Sequence, residues 1–221
     1  MVKVGGSLAL EPEKLRALCN KLSVLSQTHE LLVVPGGGEF ADVVRRLDER
    51  FSLPRRTTHR MAMLGMDQYG LLLADLTPNS VVTESLQQSK TALASRKLPI
   101  LLPSNLMLEE DPLENSWDVT SDSIAVYVAP QLGVHKVVLV TDVDGVYTND
   151  PKKHPEARLI KKLTPKELLA IKSRTSVDRF LPKLLMAVHI ECFVVNGLFP
   201  ERLQAILDGQ DTTQTWITAS S

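Results

Sequence analysis

Cysteine is scarce: the 221-residue chain carries only Cys19 and Cys192, in unrelated contexts. That excludes a disulfide framework and a cysteine zinc site, and leaves two buried thiols of a cytosolic protein as the expectation. A large charge of one sign is also missing, the formal net charge being −1 at pH 7. Nothing therefore favours nucleic acid or an anionic membrane as a partner. No apolar run approaches the length of a membrane-spanning helix. The opening "MVKVGGSL" lacks signal-peptide anatomy and already reads as a strand. A cytoplasmic location is the expectation. The histidines, at 29, 59, 135, 154 and 189, show no metal-ligand spacing, and no Ser/His/Asp order stands out. No protein-built metal site is expected.

What is present is an α/β rhythm. With 43% hydrophobic and 23% charged residues the composition is that of an ordinary globular chain, enough for one large domain or two joined lobes. β-like runs occur at 2–4, 31–35, 79–82, 99–103, 136–141 and 191–195. Most are continuously apolar, as in "KVVLVT" and "CFVVN", the signature of strands buried on both faces. Apolar spacings of three and four predict helices over 12–26, 38–50, 57–75, 84–96, 120–132, 165–172, 183–189 and 200–208. Alternating units of this kind predict a doubly wound, mostly parallel sheet, with ligands beyond the carboxyl ends of the strands. Residues 144–160 break the rhythm and read as a polar loop or hairpin.

Five clusters fall where such ligands bind. Lys3-Val4-Gly5-Gly6-Ser7 ends the first strand. It offers a mobile cation and free N–H donors to a phosphate, or else a solvated lysine beside a turn. Pro35-Gly36-Gly37-Gly38 follows the second strand. It matches neither G-x-x-x-x-G-K-[ST] nor G-x-G-x-x-G, yet glycines before a helix suit an anion and close backbone approach. Thr120-Ser121-Asp122-Ser123 enters a helix and contains an N-cap, with a carboxylate left to hold a lysine or a substrate group. Thr141-Asp142-Val143-Asp144-Gly145-Val146-Tyr147 ends the most apolar strand, and the loop through Asp150 fits a nucleotide better than a sugar. Pro182-Lys183 sets a cation at the start of a helix, a poor choice for stability alone. Arg45, Arg46, Arg55, Arg56 and Arg60 form a basic neighbourhood; solvated helix faces explain most of it, and one or two of its side chains could reach a phosphate.

Taken in order, K-x-G-G-S, G-G-G, S-D-S, T-D-V-D-G-V-Y, D-P-K, P-K and V-N-G resemble the amino acid kinase family over essentially the whole chain. The resemblance implies a three-layer αβα sandwich around a mostly parallel sheet. It also implies an acceptor-side lobe over about 1–132 and an ATP-side lobe over 133–221. Lys3, Lys183 and Asp142 are implied as catalytic, with Asp142 holding the two lysines. Gly5, Gly6, Ser7, Thr141, Asp144, Gly145, Val146, Tyr147 and Asp150 would bind ATP. Gly36, Gly37, Gly38, Thr120, Ser121 and Asp122 would bind the acceptor. Mg²⁺ would ride on the ATP phosphates.

Within the family, "VVPGGGEFADVVRR", "NSWDVTSDSIA" and "FVVNGLFPERL" are similar to the branch that phosphorylates an aminomethylfuran phosphate of methanofuran-type cofactor synthesis. Glu39 and Asp67 are the candidate partners of such an acceptor's amine. The uridylate kinase hallmark K-x-S-G-E is replaced by K-V-G-G-S, which weakens uridine as acceptor. Isopentenyl phosphate, acyl-phosphate formation and a non-catalytic anion-storage role remain alternatives. A homodimer or dimer-based oligomer is implied, with apolar surface on residues 61–76.

Overall fold

The computed structural model describes residues 1–171 and 175–218. The chain opens with β1 (Val2–Val4), a 3-10 turn (Gly6–Leu10) and α1 (Pro12–Leu25). Next come β2 (Val33–Pro35), α2 (Gly38–Phe51), α3 (Arg55–Leu76), β3 (Ser80–Thr83), α4 (Leu86–Ala94), β4 (Leu98–Leu101) and α5 (Ser104–Glu110). The second half holds α6 (Ser121–Gln131), β5 (Lys136–Thr141), β6 (Lys162–Leu163) and α7 (Pro165–Ala170). It ends with α8 (Leu181–Ala187), β7 (Glu191–Asn196), α9 (Pro200–Leu207) and β8 (Thr215–Ile217).

Among the described residues eight strands form one sheet, ordered β3-β4-β2-β1-β5-β7-β8-β6. Every pairing is parallel except β7 with β8. The expected three-layer α/β sandwich is therefore the fold. Alternate residues of each central strand enter opposite cores, because side chains leave a strand on alternate faces. Leu32, Val34, Val137, Leu139, Cys192 and Val194 face a core shared with α6 and α8. Val2, Val4, Leu31, Val33, Val138 and Val140 face one shared with α1 and α9. Burial on both faces is why the runs read as continuously apolar.

The sheet grows outward from β1 in both directions, so the switch point lies between β1 and β5. A crevice opens beyond the carboxyl ends there. It lies among the loops after β1, β2 and β5. β6, β8, α5 and the 3-10 turn were not anticipated from sequence; β6 and β8 are two and three residues long, too short to show a period. The final residue of the helix expected over 165–172 lies outside the described residues; the described part ends at Ala170. The polar excursion does fold back on itself, with an antiparallel bridge between Tyr147 and Leu159.

The glycines after β1 and β2 are explained by each other. Gly36 N–H donates to the Val4 carbonyl at 2.8 Å, and Gly5 N–H to the Val140 carbonyl at 2.7 Å. A methyl group on Gly6 would land on the Gly38 amide nitrogen. Gly38 also takes φ +51°, a conformation that favours glycine. The two loops pack backbone against backbone. We expect Gly6→Ala to cost about 1–3 kcal/mol of stability, as overpacking does. Chemical denaturation measures this; an unchanged midpoint would show that the loops separate freely.

Candidate active site

Lys3 lies in the middle of the sheet, registered between Val34 and Leu139. Its side chain is only 10% exposed. A buried ammonium needs a charged partner. Asp122, in the first turn of α6, supplies it at 2.7 Å. Burial of β1 thus places one cation under the amino end of α6, at the mouth of the crevice.

Asp122 is tied in turn to Asp178, which sequence reasoning did not single out. The Asp178 N–H donates to Asp122 Oδ2 at 3.1 Å. The Asp178 carboxylate accepts six hydrogen bonds. Thr120 N–H and Oγ1–H and Ser123 N–H reach Oδ2 at 2.9–3.0 Å. Ser123 Oγ–H, Phe180 N–H and Leu181 N–H reach Oδ1 at 2.7–3.1 Å. Burial and the Asp122 charge push the Asp178 carboxyl upward, and the Ser123 and Thr120 donors oppose them. With three donors on each oxygen, the geometry selects the carboxylate form. One side chain therefore joins the amino ends of α6 and α8.

Asp142 does not touch Lys3. Its Oδ2 lies 2.5 Å from Lys152 Nζ, across the mouth of the loop after β5. Burial pushes its carboxyl up, but the Lys152 hydrogen bond and charge, aided by Ser7, bring it below the usual carboxylate range. The expectation that Asp142 holds the two lysines is corrected: Lys3 points to the α6 face of the sheet, where Asp122 meets it. Lys183 stands exposed on α8, its Nζ 6.0 Å from the centre of the Phe180 ring, and lines none of the hollows described below.

Two hollows meet at Ser7. One, of about 350 Å³, is lined by Lys3, Gly6, Ser7, Gly37, Gly38, Arg45, Thr120 and Ser121. The amino end of α2 opens into it with no side-chain cap. Its free N–H groups and dipole favour an anion. Arg45 adds a cation, so the basic neighbourhood does contribute one side chain here. The other hollow, of about 460 Å³, is lined by Ser7, Thr141, Asp142, Gly145, Tyr147, Asp150, Lys152 and Lys153. A wider opening of about 880 Å³ joins them, with Thr120, Asp122, Asp178 and Arg179 on its wall.

The remaining expected site residues sit behind these walls. Val146 is fully buried in the α6-side core. Gly5 is held from behind, its carbonyl accepting the buried Tyr69 hydroxyl at 3.1 Å. Gly36 packs on Gly6 and Val4. Asp144 accepts from Asn196 Nδ2 at 2.9 Å and pairs with Arg202 at 2.6 Å, which ties the loop after β5 to the V-N-G turn. Burial raises its carboxyl pKa, and Asn196 and Arg202 more than offset that. Asp67 is engaged by the Ser104 N–H and hydroxyl at the start of α5, so it caps a helix instead of facing a ligand. Glu39 does line the Lys3 hollow.

The model for the amino acid kinase family matches residues 1–196. The chain is 36% identical over 218 residues to the [5-(aminomethyl)furan-3-yl]methyl phosphate kinase of Methanocaldococcus jannaschii, covering 98% of this chain and 96% of that protein. It is 26% identical to the uridylate kinase of Methanococcoides burtonii, covering 91% and 87%. Among solved structures, uridylate kinase from Archaeoglobus fulgidus superposes with a TM-score of 0.78 at 22% identity, covering 98% and 99%, a likeness of fold.

Asp178→Asn would turn donors against a donor. We expect it to lower unfolding free energy by about 3 kcal/mol, the lower range for breaking a buried charged network. Urea titration of the purified variant checks this. An unchanged midpoint would mean that the six hydrogen bonds contribute little.

Proposed function

We propose, on the premise that this chain belongs to the amino acid kinase family, that it transfers a phosphoryl group from ATP to [5-(aminomethyl)furan-3-yl]methyl phosphate. The observation that carries this reading is the pair of hollows meeting at Ser7, with the buried Lys3 on one and Lys152 on the other. The first is the acceptor's, with its phosphate at the amino end of α2 near Gly37, Gly38, Arg45 and Ser121. The second is the donor's, with Thr141, Gly145, Tyr147 and Asp150 around the nucleotide. Residues 1–132 and 133–221 are then the acceptor and donor lobes.

The acceptor's own phosphate oxygen is ionised at neutral pH, so no general base is required. Catalysis is positioning plus electrostatic stabilisation. Lys3, held by Asp122, lies beside the transferring group and offsets the charge that develops on it. Lys183 is the second cation of this reading, reaching in from α8 on its flexible stem. Asp142 and Asp150 offer carboxylates on the donor side, which fits Mg²⁺ held chiefly by substrate phosphates. When bound, the ion neutralises phosphate charge.

A homodimer or dimer-based oligomer is also proposed. It is supported by exposed apolar residues on α2 and α3, among them Val43, Phe51, Leu64 and Leu71. Among the described residues no helix is long and apolar enough to cross a membrane. The free, buried Cys19 and Cys192 support a cytoplasmic setting.

Three measurements test the proposal. A coupled assay with ATP should show turnover of the furan phosphate well above UMP, isopentenyl phosphate and acetylglutamate; preference for any of those overturns the acceptor assignment. Lys3→Ala and Lys183→Ala should each lower kcat at least ~100-fold, as loss of one preorganised transition-state donor does. Near wild-type turnover in either variant removes that lysine from the mechanism. Light scattering should give the mass of a dimer or an even multiple of the chain, and a monomer alone defeats the oligomer assignment.

A further inference from the structure

Beyond Trp117 the acceptor hollow continues into a second chamber of about 300 Å³, which shares Ala62, Met63, Trp117 and Val119 with the Lys3 hollow. Trp117 is pinned as the partition. Its Nε1–H donates to Asp48 Oδ2 at 2.9 Å, and the Arg45 guanidinium sits 4.8 Å from its ring centre.

Five buried side-chain polar atoms among the described residues lack a hydrogen-bond partner, and three of them, His59 Nε2, Asn115 Oδ1 and Ser116 Oγ, belong to this chamber. His59 is only 7% exposed. Buried polar atoms are ordinarily satisfied, so their convergence in one hollow marks a place where a ligand satisfies them. The orientation of Asn115 is set from outside: its Nδ2 donates to Asp111 Oδ1 at 3.0 Å, which leaves Oδ1 for the chamber. Oδ1 only accepts. Asp48 and Asp118 also line the wall; the Asp118 carboxylate has no side-chain partner among the described residues. Against these two carboxylates stands one lining cation, Arg55, which is drawn outward to Glu114 at 3.9 Å.

We propose that this chamber is the specificity pocket of the acceptor and that it reads a primary ammonium. Asn115 Oδ1, Asp48 and Asp118 supply three acceptors for the three N–H bonds of such a group. His59 Nε2 and Ser116 Oγ, each able to donate or accept, meet polar atoms of the ring that carries it, which lies against Trp117. A uracil offers no cation and would leave the chamber's negative charge unbalanced. This inference rests on the acceptor-side reading above and replaces Asp67 as the amine's partner.

The test uses the full chain with wild type, Asp118→Asn and His59→Leu. Acceptors are the aminomethylfuran phosphate and its analogue with hydroxyl in place of amine. Asp118→Asn, which keeps an accepting oxygen but removes the charge, should raise the acceptor KM about threefold, the scale of one exposed ion pair, and leave the KM for ATP unmoved. With the hydroxyl analogue, wild type and Asp118→Asn should converge. His59→Leu should raise the KM for both acceptors; because His59 is buried, its melting curve is compared with wild type. Asp118 is exposed, so Asp118→Asn keeps the test decisive if the other variant unfolds. If wild type turns over the furan phosphate and Asp118→Asn binds it unchanged, the pocket assignment is overturned. If wild type rejects the furan phosphate but accepts another amine-bearing phosphate with the same Asp118 dependence, the named substrate falls and the pocket stands. If wild type accepts only amine-free phosphates, both fall.

Discussion

An ammonium buried in the middle of a parallel sheet is the constraint on which this structure depends. Lys3 has valines on either side in sequence and Val34 and Leu139 on either side in the sheet. Its side chain is only 10% exposed, so water compensates it poorly and a carboxylate comes to it. Asp122 does so from the first turn of α6, where a negative side chain also suits the helix dipole. Asp178 then fixes the carboxyl side: its backbone donates to Asp122, and its side chain accepts the free N–H groups of α6 and α8. The ion pair thus sets where two helices begin.

The glycine loops follow from the same need. To bring the Lys3 ammonium and the uncapped end of α2 to one hollow, the turns after β1 and β2 must touch. Only residues without a side chain permit that approach, as Gly6 against Gly38 shows. The three glycines after β2 therefore have a protein partner first; the hollow at Gly37 and Gly38 is what the packed loops leave open.

Much of this was legible in the sequence, and the limits have physical causes. Continuous apolar runs gave the central strands to within two residues because both faces are buried, and the motifs gave part of the lining of each hollow: Lys3, Gly6, Ser7, Gly37, Gly38, Thr120 and Ser121 on one, and Ser7, Thr141, Asp142, Gly145, Tyr147 and Asp150 on the other. Pairing was not legible. Asp142 and Asp122 look alike as acidic residues at element ends; the face of β1 from which Lys3 emerges decides between them. Asp178 left no signal because its partners are backbone N–H groups and hydroxyls up to 58 positions away. Val146 sits inside a matching motif yet points into the core, since a motif marks a turn and not every side chain in it. β8 was missed although Thr215 Oγ1 accepts the Val146 N–H at 2.8 Å and so anchors the loop after β5.

The two kinds of residue also divide the labour. Lys3 stands inside β1, Asp122 in the first turn of α6, Asp178 just before α8, and the paired glycines at the turns after β1 and β2, where the sheet and helix ends fix their geometry. Asn115, Ser116, Trp117 and Asp118 stand on the irregular stretch between α5 and α6, which has no strand ladder to maintain. Loops of that kind change their side chains at little cost to the scaffold. Trp117 is held by Asp48 and Arg45, and it faces both chambers. On the proposed reading, acceptor choice is shared between this loop and the faces of α2 and α3 that carry Asp48 and His59, apart from the Lys3–Asp122–Asp178 network, so the two can diverge independently within one fold.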